Sequence, residues 1–226
     1  MGKKILIGLS IIGIVSAVVI GATMAYFKDT ETSTGNTFTA GSIDLKIDYK
    51  CDDGACDVPL KDLGAGDNFF GRTAKYCDIK PGDTGEVTIS WHVNDNEAWG
   101  RLRIDDIQDW EYGCTEPEAD IDTTCDTPGQ GEGELSKNIN FTAWIDDGDN
   151  ILEDDEQILV QNKPLEDIVA EGGIKLPDKL IPCTTYYLGL RWNVPADAGN
   201  IIQTDSLVIS IIMEVVQSRN NPNPWQ

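Results

Sequence analysis

The chain is 226 residues long and carries 39 Asp and Glu against 17 Lys and Arg, a formal charge of -22. That field opposes nucleic acid and anionic lipid surfaces as partners. The length suffices for one sizeable core, and the apolar residues are spread without a second composition class, so one domain is expected.

Lys3 and Lys4, the apolar run Ile5 to Gly21 and the small residues Ala22-Thr23-Met24-Ala25 have the make-up of an export signal. Cleavage is predicted after Ala25, with Tyr26 as the first mature residue and residues 1–25 removed. A retained membrane anchor is the alternative, because the run approaches the ~18 to 20 apolar residues that span a bilayer. Small residues close the run and no basic stop-transfer cluster follows, which favours cleavage. The mature protein is therefore expected to be secreted, extracellular or at the cell surface, with no membrane contact after cleavage.

Residues 26–40 form a short polar arm ahead of a domain over 41–219. Period-2 alternation starts with Ile43, Leu45, Ile47 and Tyr49 against Asp44, Lys46 and Asp48, the pattern of a strand with one face in the core. The turn Pro81-Gly82-Asp83 precedes a second such strand, Val87, Ile89, Trp91 and Val93 against Glu86, Thr88, Ser90 and His92. Leu102 and Ile104 mark a shorter strand. Cys114 to Gly133, acidic and rich in Gly, Pro and Thr, is expected as a long surface loop. Ile139, Phe141, Ala143 and Ile145 alternate with Asn140, Thr142 and Trp144.

One helix is predicted from Pro164 to about Glu171, with Pro164 in its first position, Leu165, Ile168 and Val169 on one face, and Gly172-Gly173 ending it. Tyr186, Leu188, Leu190, Trp192 and Val194 alternate with Tyr187, Gly189, Arg191 and Asn193. Leu207 to Val216 is apolar on both faces and so predicted as a central strand covered on both sides. Residues 220–226 form a Pro-containing tail. Many short strands, turn signals between them and one helix predict an all-β fold, a two-sheet β-sandwich of jelly-roll type.

Cys51, Cys56, Cys77, Cys114, Cys125 and Cys183 lie downstream of an export signal and predict up to three disulfides. Several pairings are open to six thiols. The expected set is Cys51 with Cys56 and Cys114 with Cys125, each closing a local loop, and Cys77 with Cys183 as a long-range staple. Zinc is the alternative, but no pair has Cys-x-x-Cys spacing and His92 is the one histidine.

The strongest ligand-like cluster is Asp146, Asp147, Asp149, Glu153 and Glu156. Ca²⁺ takes about six to eight oxygens, which closely spaced carboxylates on a turn and a distal Glu can supply. Against an EF-hand-like loop the spacing is imperfect: Asp146 falls one place late and Asn150 stands where Gly is usual. An acidic, solvated turn is the other reading. Ca²⁺ is the only cofactor suggested, and no organic cofactor is expected.

Nothing in the chain has a His-Glu-x-x-His zinc motif, a Gly-x-Ser-x-Gly elbow or a phosphate-binding glycine loop, so no catalytic residue is expected. His92 belongs to an outward strand position. Asn140-Phe141-Thr142 is a sequon that places a glycosylation acceptor at Asn140 where the host has the machinery.

Several segments, in shared order, resemble the TasA/camelysin family of secreted, fibre-forming matrix proteins, especially its archaeal branch. They are Thr23-Met24-Ala25-Tyr26-Phe27-Lys28-Asp29, Phe38-Thr39-Ala40-Gly41-Ser42-Ile43-Asp44-Leu45 and Ile79-Lys80-Pro81-Gly82-Asp83. Trp91-His92-Val93-Asn94-Asp95-Asn96, Thr115-Glu116-Pro117-Glu118-Ala119-Asp120, Gly199 to Ser206 and Val216 to Asn220 continue the likeness.

The resemblance implies a jelly-roll subunit, trimmed by a dedicated signal peptidase, that polymerises into extracellular filaments or bundling pili of biofilm matrix. It implies a homopolymer in which the freed N-terminal segment of one subunit adds as a strand to the next. The arm would be Tyr26 to Ala40, with Phe27 and Phe38 as apolar anchors. Camelysin relatives are also classed as metallopeptidases, a role from which the single histidine departs. A monomeric surface binding module is a third reading.

Overall fold

The computed structural model describes residues 28–32, 45–51, 58–61 and 79–225. The expected export signal and Tyr26, Phe27, Phe38, Ala40, Cys56 and Cys77 lie outside these residues. Among the described residues no helix is long and apolar enough to cross a membrane.

The alternating segments become strands of two antiparallel sheets, the sandwich that the patterning predicts. One sheet holds β2 (Leu45–Cys51), β3 (Val58–Lys61), β4 (Thr84–Val93), β7 (Asn140–Asp146), β8 (Gln157–Pro164) and β10 (Thr185–Asn193), in the order β3-β2-β4-β10-β7-β8. The other runs β1 (Lys28–Thr32), β11 (Ser206–Gln217), β5 (Ala98–Glu111), β6 (Gly129–Gln130), and β9 (Ile174–Lys175) also pairs with β5. Between the sheets lie Val87, Ile89, Trp91, Leu188 and Leu190 from the first and Leu102, Ile211, Met213 and Val215 from the second, all buried. Each such side chain contributes about 1.5–3 kcal/mol of transfer free energy.

Period 2 also predicts a solvated outer face on β4 and β7, and here the structure differs. Thr88, Ser90 and Trp144 are buried. Gly189, on the neighbouring β10 opposite Trp144, makes the room: a Cβ there would fall 2.0 Å from the indole. The Trp144 Nε1–H donates to Asp146 Oδ1 at 3.0 Å, and the Arg191 guanidinium stands 5.5 Å from the ring centre. An aromatic ring at an outward position thus becomes a second, smaller core, because its neighbour has no side chain.

The helix α1 (Leu165–Ala170) is one residue shorter at its start than the spacing predicts, with Pro164 as N-cap. Leu165 and Ile168 are buried beneath it. Gly172 and Gly173, at φ 79 and 96, end it in the left-handed conformation that Gly adopts without strain. At Gly173 a Cβ would fall 2.2 Å from the Leu102 carbonyl oxygen, so close approach to β5 demands Gly as well.

The strand around Leu102 and Ile104 proves to be long, the 14 residues of β5. Its inward positions are even-numbered up to Ile104 and then odd-numbered, because Asp106 at φ 47 sits in a bulge where the register with β11 shifts. After the bulge the inward positions belong to Asp109 and Glu111. The tail is also more structured than its composition implies. Trp99 Nε1–H donates to the Asn221 carbonyl at 2.8 Å, and Arg101 stacks 4.2 Å from the Trp225 ring centre.

Candidate functional site

β11 is the most apolar strand, and both of its edges are paired. β5 covers one edge over almost its whole length. On the other edge β1 pairs antiparallel from Lys28↔Val216 to Thr32↔Ile212. The strand is central, as its two apolar faces predict, but its cover on that side is a five-residue segment of sequence KDTET. Asp29 and Glu31 stand opposite Val215 and Met213, both fully buried. Acids at register positions beside a core are a device of edge strands that limits how tightly they pair.

The outer face of β11 carries one buried charge. Glu214 is fully buried and accepts from Arg101 Nε at 3.1 Å, with a second contact from Arg101 Nη2, while Arg103 Nε lies 3.7 Å away. This buried ion pair fixes β11 to β5 in register, Glu214 opposite Arg101.

The loop Asp146 to Glu156 brings Asp146, Asp147 and Asp149 within 4.8 Å of one another, and that set does not include Glu153 or Glu156. Its carboxylates face its own backbone. Asp146 accepts from Gly148 N at 2.8 Å, Asp147 from Asp149 N at 3.2 Å, and Asp149 from Ile151 N at 2.8 Å. Glu156 accepts from Asp147 N at 3.1 Å and Glu153 N at 2.9 Å. Desolvation, then the charges of Asp149, Glu156 and Asp147, hold the Glu153 carboxyl above its ordinary range. Asn150, at φ 69, accepts from Thr88 Oγ1 at 2.9 Å and ties the turn to the outer face of β4. The arrangement is that of a self-capped acidic turn.

A second carboxylate group, which the sequence does not reveal, lies where β5 ends and β11 begins. It comprises Asp109 and Glu111 after the bulge, Glu118 and Asp122 on the following loop, Glu134, and Asp205. The apparent surface loop is folded around them: Glu118 and Asp122 are buried, as is Cys125. Burial pushes Asp205 up to about 7, against the Glu134 amide and aided by Asp109, Glu111 and Glu134. Burial likewise raises Glu118 and Glu134.

A raised folded-state pKa means that the folded chain keeps a proton that the unfolded chain releases. The stability from Asp205 is therefore full below about pH 4 and is lost as pH rises through 7. In chelator, Asp205→Asn should flatten the fall in melting temperature between pH 5 and pH 8 relative to wild type. Parallel profiles for the two proteins would contradict this.

Cys114 and Cys125 form a disulfide, with Cα atoms 4.8 Å apart. Cys183 is exposed, and its Sγ faces the Asn94 carbonyl at 4.0 Å from a turn at φ 61; Cys77, its expected partner, lies outside the described residues. Cys51 is placed by its backbone as the last residue of β2. Asn140 begins β7, and its Nδ2 donates to Asn162 at 3.4 Å. His92 meets the hydroxyls of Ser90 at 2.8 Å and Thr185 at 3.4 Å.

Residues 1–74 match the family model described as camelysin metallo-endopeptidase. The match supports the likeness to the TasA/camelysin family and spans the arm, β2 and β3, ending before β4. No curated protein matches the chain. The peptidase in that description implies a catalytic metal, for which zinc with histidine ligands is the usual choice. The residues present do not fit it. Among the described residues, each group that could hold a metal ion consists of carboxylates alone, and none includes His92.

Proposed function

We propose that the protein is a secreted structural subunit that polymerises head-to-tail by donor-strand addition into extracellular filaments or bundling pili of biofilm matrix. Its motifs are like those of the archaeal branch of the TasA/camelysin family. The observation that carries the reading is the edge of β11: the most apolar strand is covered over Ile212–Val216 by a polar segment of the N-terminal arm.

Main-chain hydrogen bonds can hold such a segment, but its sequence, KDTET, offers no large apolar side chain, so another strand can replace it. Cleavage after Ala25 would free Tyr26 to Ala40. Phe38 and Ala40, two residues apart, share one face of an extended strand and would set apolar groups opposite Met213 and Val215, where the subunit's own arm offers Asp29 and Glu31. Residues 41–44 then remain between the donated strand and β2, and span up to roughly 14 Å when extended. A contact in which each subunit gives its arm and receives another does not close, so it propagates.

Sedimentation and negative-stain microscopy of the purified mature protein, beside a casein assay with and without chelator, separate the readings. Filaments without hydrolysis are expected. Protein that stays monomeric on concentration would favour a binding module, and chelator-sensitive hydrolysis would favour a peptidase.

A further inference from the structure

The carboxylate pocket at the start of β11 is built in a way that solvent exposure does not explain. Each of its six acids has one oxygen held and the other left over. Asp109 accepts from Ser136 N at 2.8 Å, Glu111 from Gly113 N at 2.6 Å and Thr204 Oγ1 at 2.8 Å, and Glu118 from Thr115 N at 3.2 Å. Asp122 accepts from Thr124 N and Oγ1, both at 2.8 Å, and Asp205 from Glu134 N at 2.6 Å, while Glu134 Oε1 lies 3.9 Å from Lys137 Nζ. The second oxygen of every one is buried without a hydrogen-bond partner. Four of the acids, Asp109, Glu111, Glu118 and Asp122, are at most 6 % exposed.

The leftover charge is not balanced from within. Among the described residues, the one ion pair to these six acids is from Lys137 to Glu134, at 3.9 Å, and that lysine is 60 % exposed. An unpaired buried carboxylate is costly, and six together more so, unless a cation joins them. Apolar packing is not what orders the loop either: Ile121 is 52 % exposed, and the buried side chains there are Glu118, Asp122 and the disulfide half Cys125. Gly133 keeps the site open, since a Cβ there would lie 2.9 Å from Asp109 Oδ1 and 3.0 Å from Asp205 Oδ1.

Two triads can each converge on one point: Glu111, Glu134 and Asp205, and Glu111, Glu118 and Asp122, with ligand atoms within 4.8 Å of one another. Irregular, all-oxygen ligation suits Ca²⁺; Mg²⁺ demands near-octahedral geometry and keeps its waters, and Zn²⁺ favours nitrogen and sulfur. We propose that this pocket is a buried Ca²⁺ centre of two adjacent sites bridged by Glu111, which orders the loop between β5 and β6 and anchors the start of β11. It is distinct from the acidic turn at Asp146.

The test uses purified protein stripped with EDTA, with CaCl₂ as the probe, read by melting temperature and by native mass spectrometry. Asp149→Asn/Glu156→Gln removes the surface turn from the readout and serves as parent. It should bind two Ca²⁺ and melt roughly 10–20 °C higher when free Ca²⁺ is about a hundredfold above the Kd of each site. Adding Glu118→Gln/Asp122→Asn should raise the melting temperature in EDTA, by relieving repulsion, and cut the Ca²⁺ count to one. Glu111→Gln should abolish binding. A parent with equal melting temperatures in Ca²⁺ and EDTA, or a Glu118→Gln/Asp122→Asn variant that still binds two ions, would overturn the assignment.

Discussion

Deleting Tyr26 to Ala40 should leave a folded monomer that no longer forms filaments and that stops wild-type filaments from growing. The deletion removes β1 and with it the donor, yet β11, β5 and the whole six-stranded sheet lie outside it. The core residues that hold β11 in place, Ile211, Met213 and Val215, are retained. Such a subunit can accept an arm at Ile212–Val216 and has none to pass on, so substoichiometric addition should shorten wild-type filaments from one end. Electron microscopy with sedimentation reads both effects. Filaments made by the deletion alone would refute strand donation. Asp29→Val/Glu31→Val should act in the opposite sense: apolar groups opposite Val215 and Met213 strengthen pairing within the subunit and delay polymerisation.

Arg101→Met should destabilise the subunit by about 3–5 kcal/mol, because it leaves the carboxylate of Glu214 buried without its closest guanidinium. Arg103 at 3.7 Å is too distant to replace the direct hydrogen bonds. The charge itself is not what the fold requires. Arg101→Met/Glu214→Met keeps volume and removes both charges, so it should recover most of the loss. Urea denaturation of the two single variants and the double gives the coupling directly; additive losses would show that the pair does not act as a unit. Since Glu214 stands opposite Thr30 of β1, the same substitution should also loosen the edge that receives the arm.

Where side-chain period and burial agree, the sequence predicts the fold well. Val87, Ile89, Trp91 and Val93 alternate and are buried, and Gly172-Gly173 stops the helix where expected. Trp144 escapes the pattern because its cover depends on the missing side chain of Gly189 across the sheet. The second half of β5 escapes it twice over, since the bulge at Asp106 reverses the phase and the inward residues are then acids. Lys28 to Thr32 has no alternation at all, as its pairing is of main chain to main chain.

The sites differ in the same way. Asp146, Asp147 and Asp149 stand together both in sequence and in space, so their adjacency alone makes them legible, and each also caps the backbone of its own turn. Asp109, Glu111, Glu118, Asp122, Glu134 and Asp205 are scattered over nearly a hundred residues, and only the pairing of β5 with β11 collects them. Two hints were available in the sequence: the acids in the loop Cys114 to Gly133 and the cysteines that close most of it.

A helical reconstruction of the filament tests strand donation most directly, through the identity of the strand beside Ile212–Val216. The arm of the neighbouring subunit is predicted there, with Phe38 and Ala40 toward Met213 and Val215. A filament in which each β11 still pairs with Lys28 to Thr32 of its own chain would contradict the account.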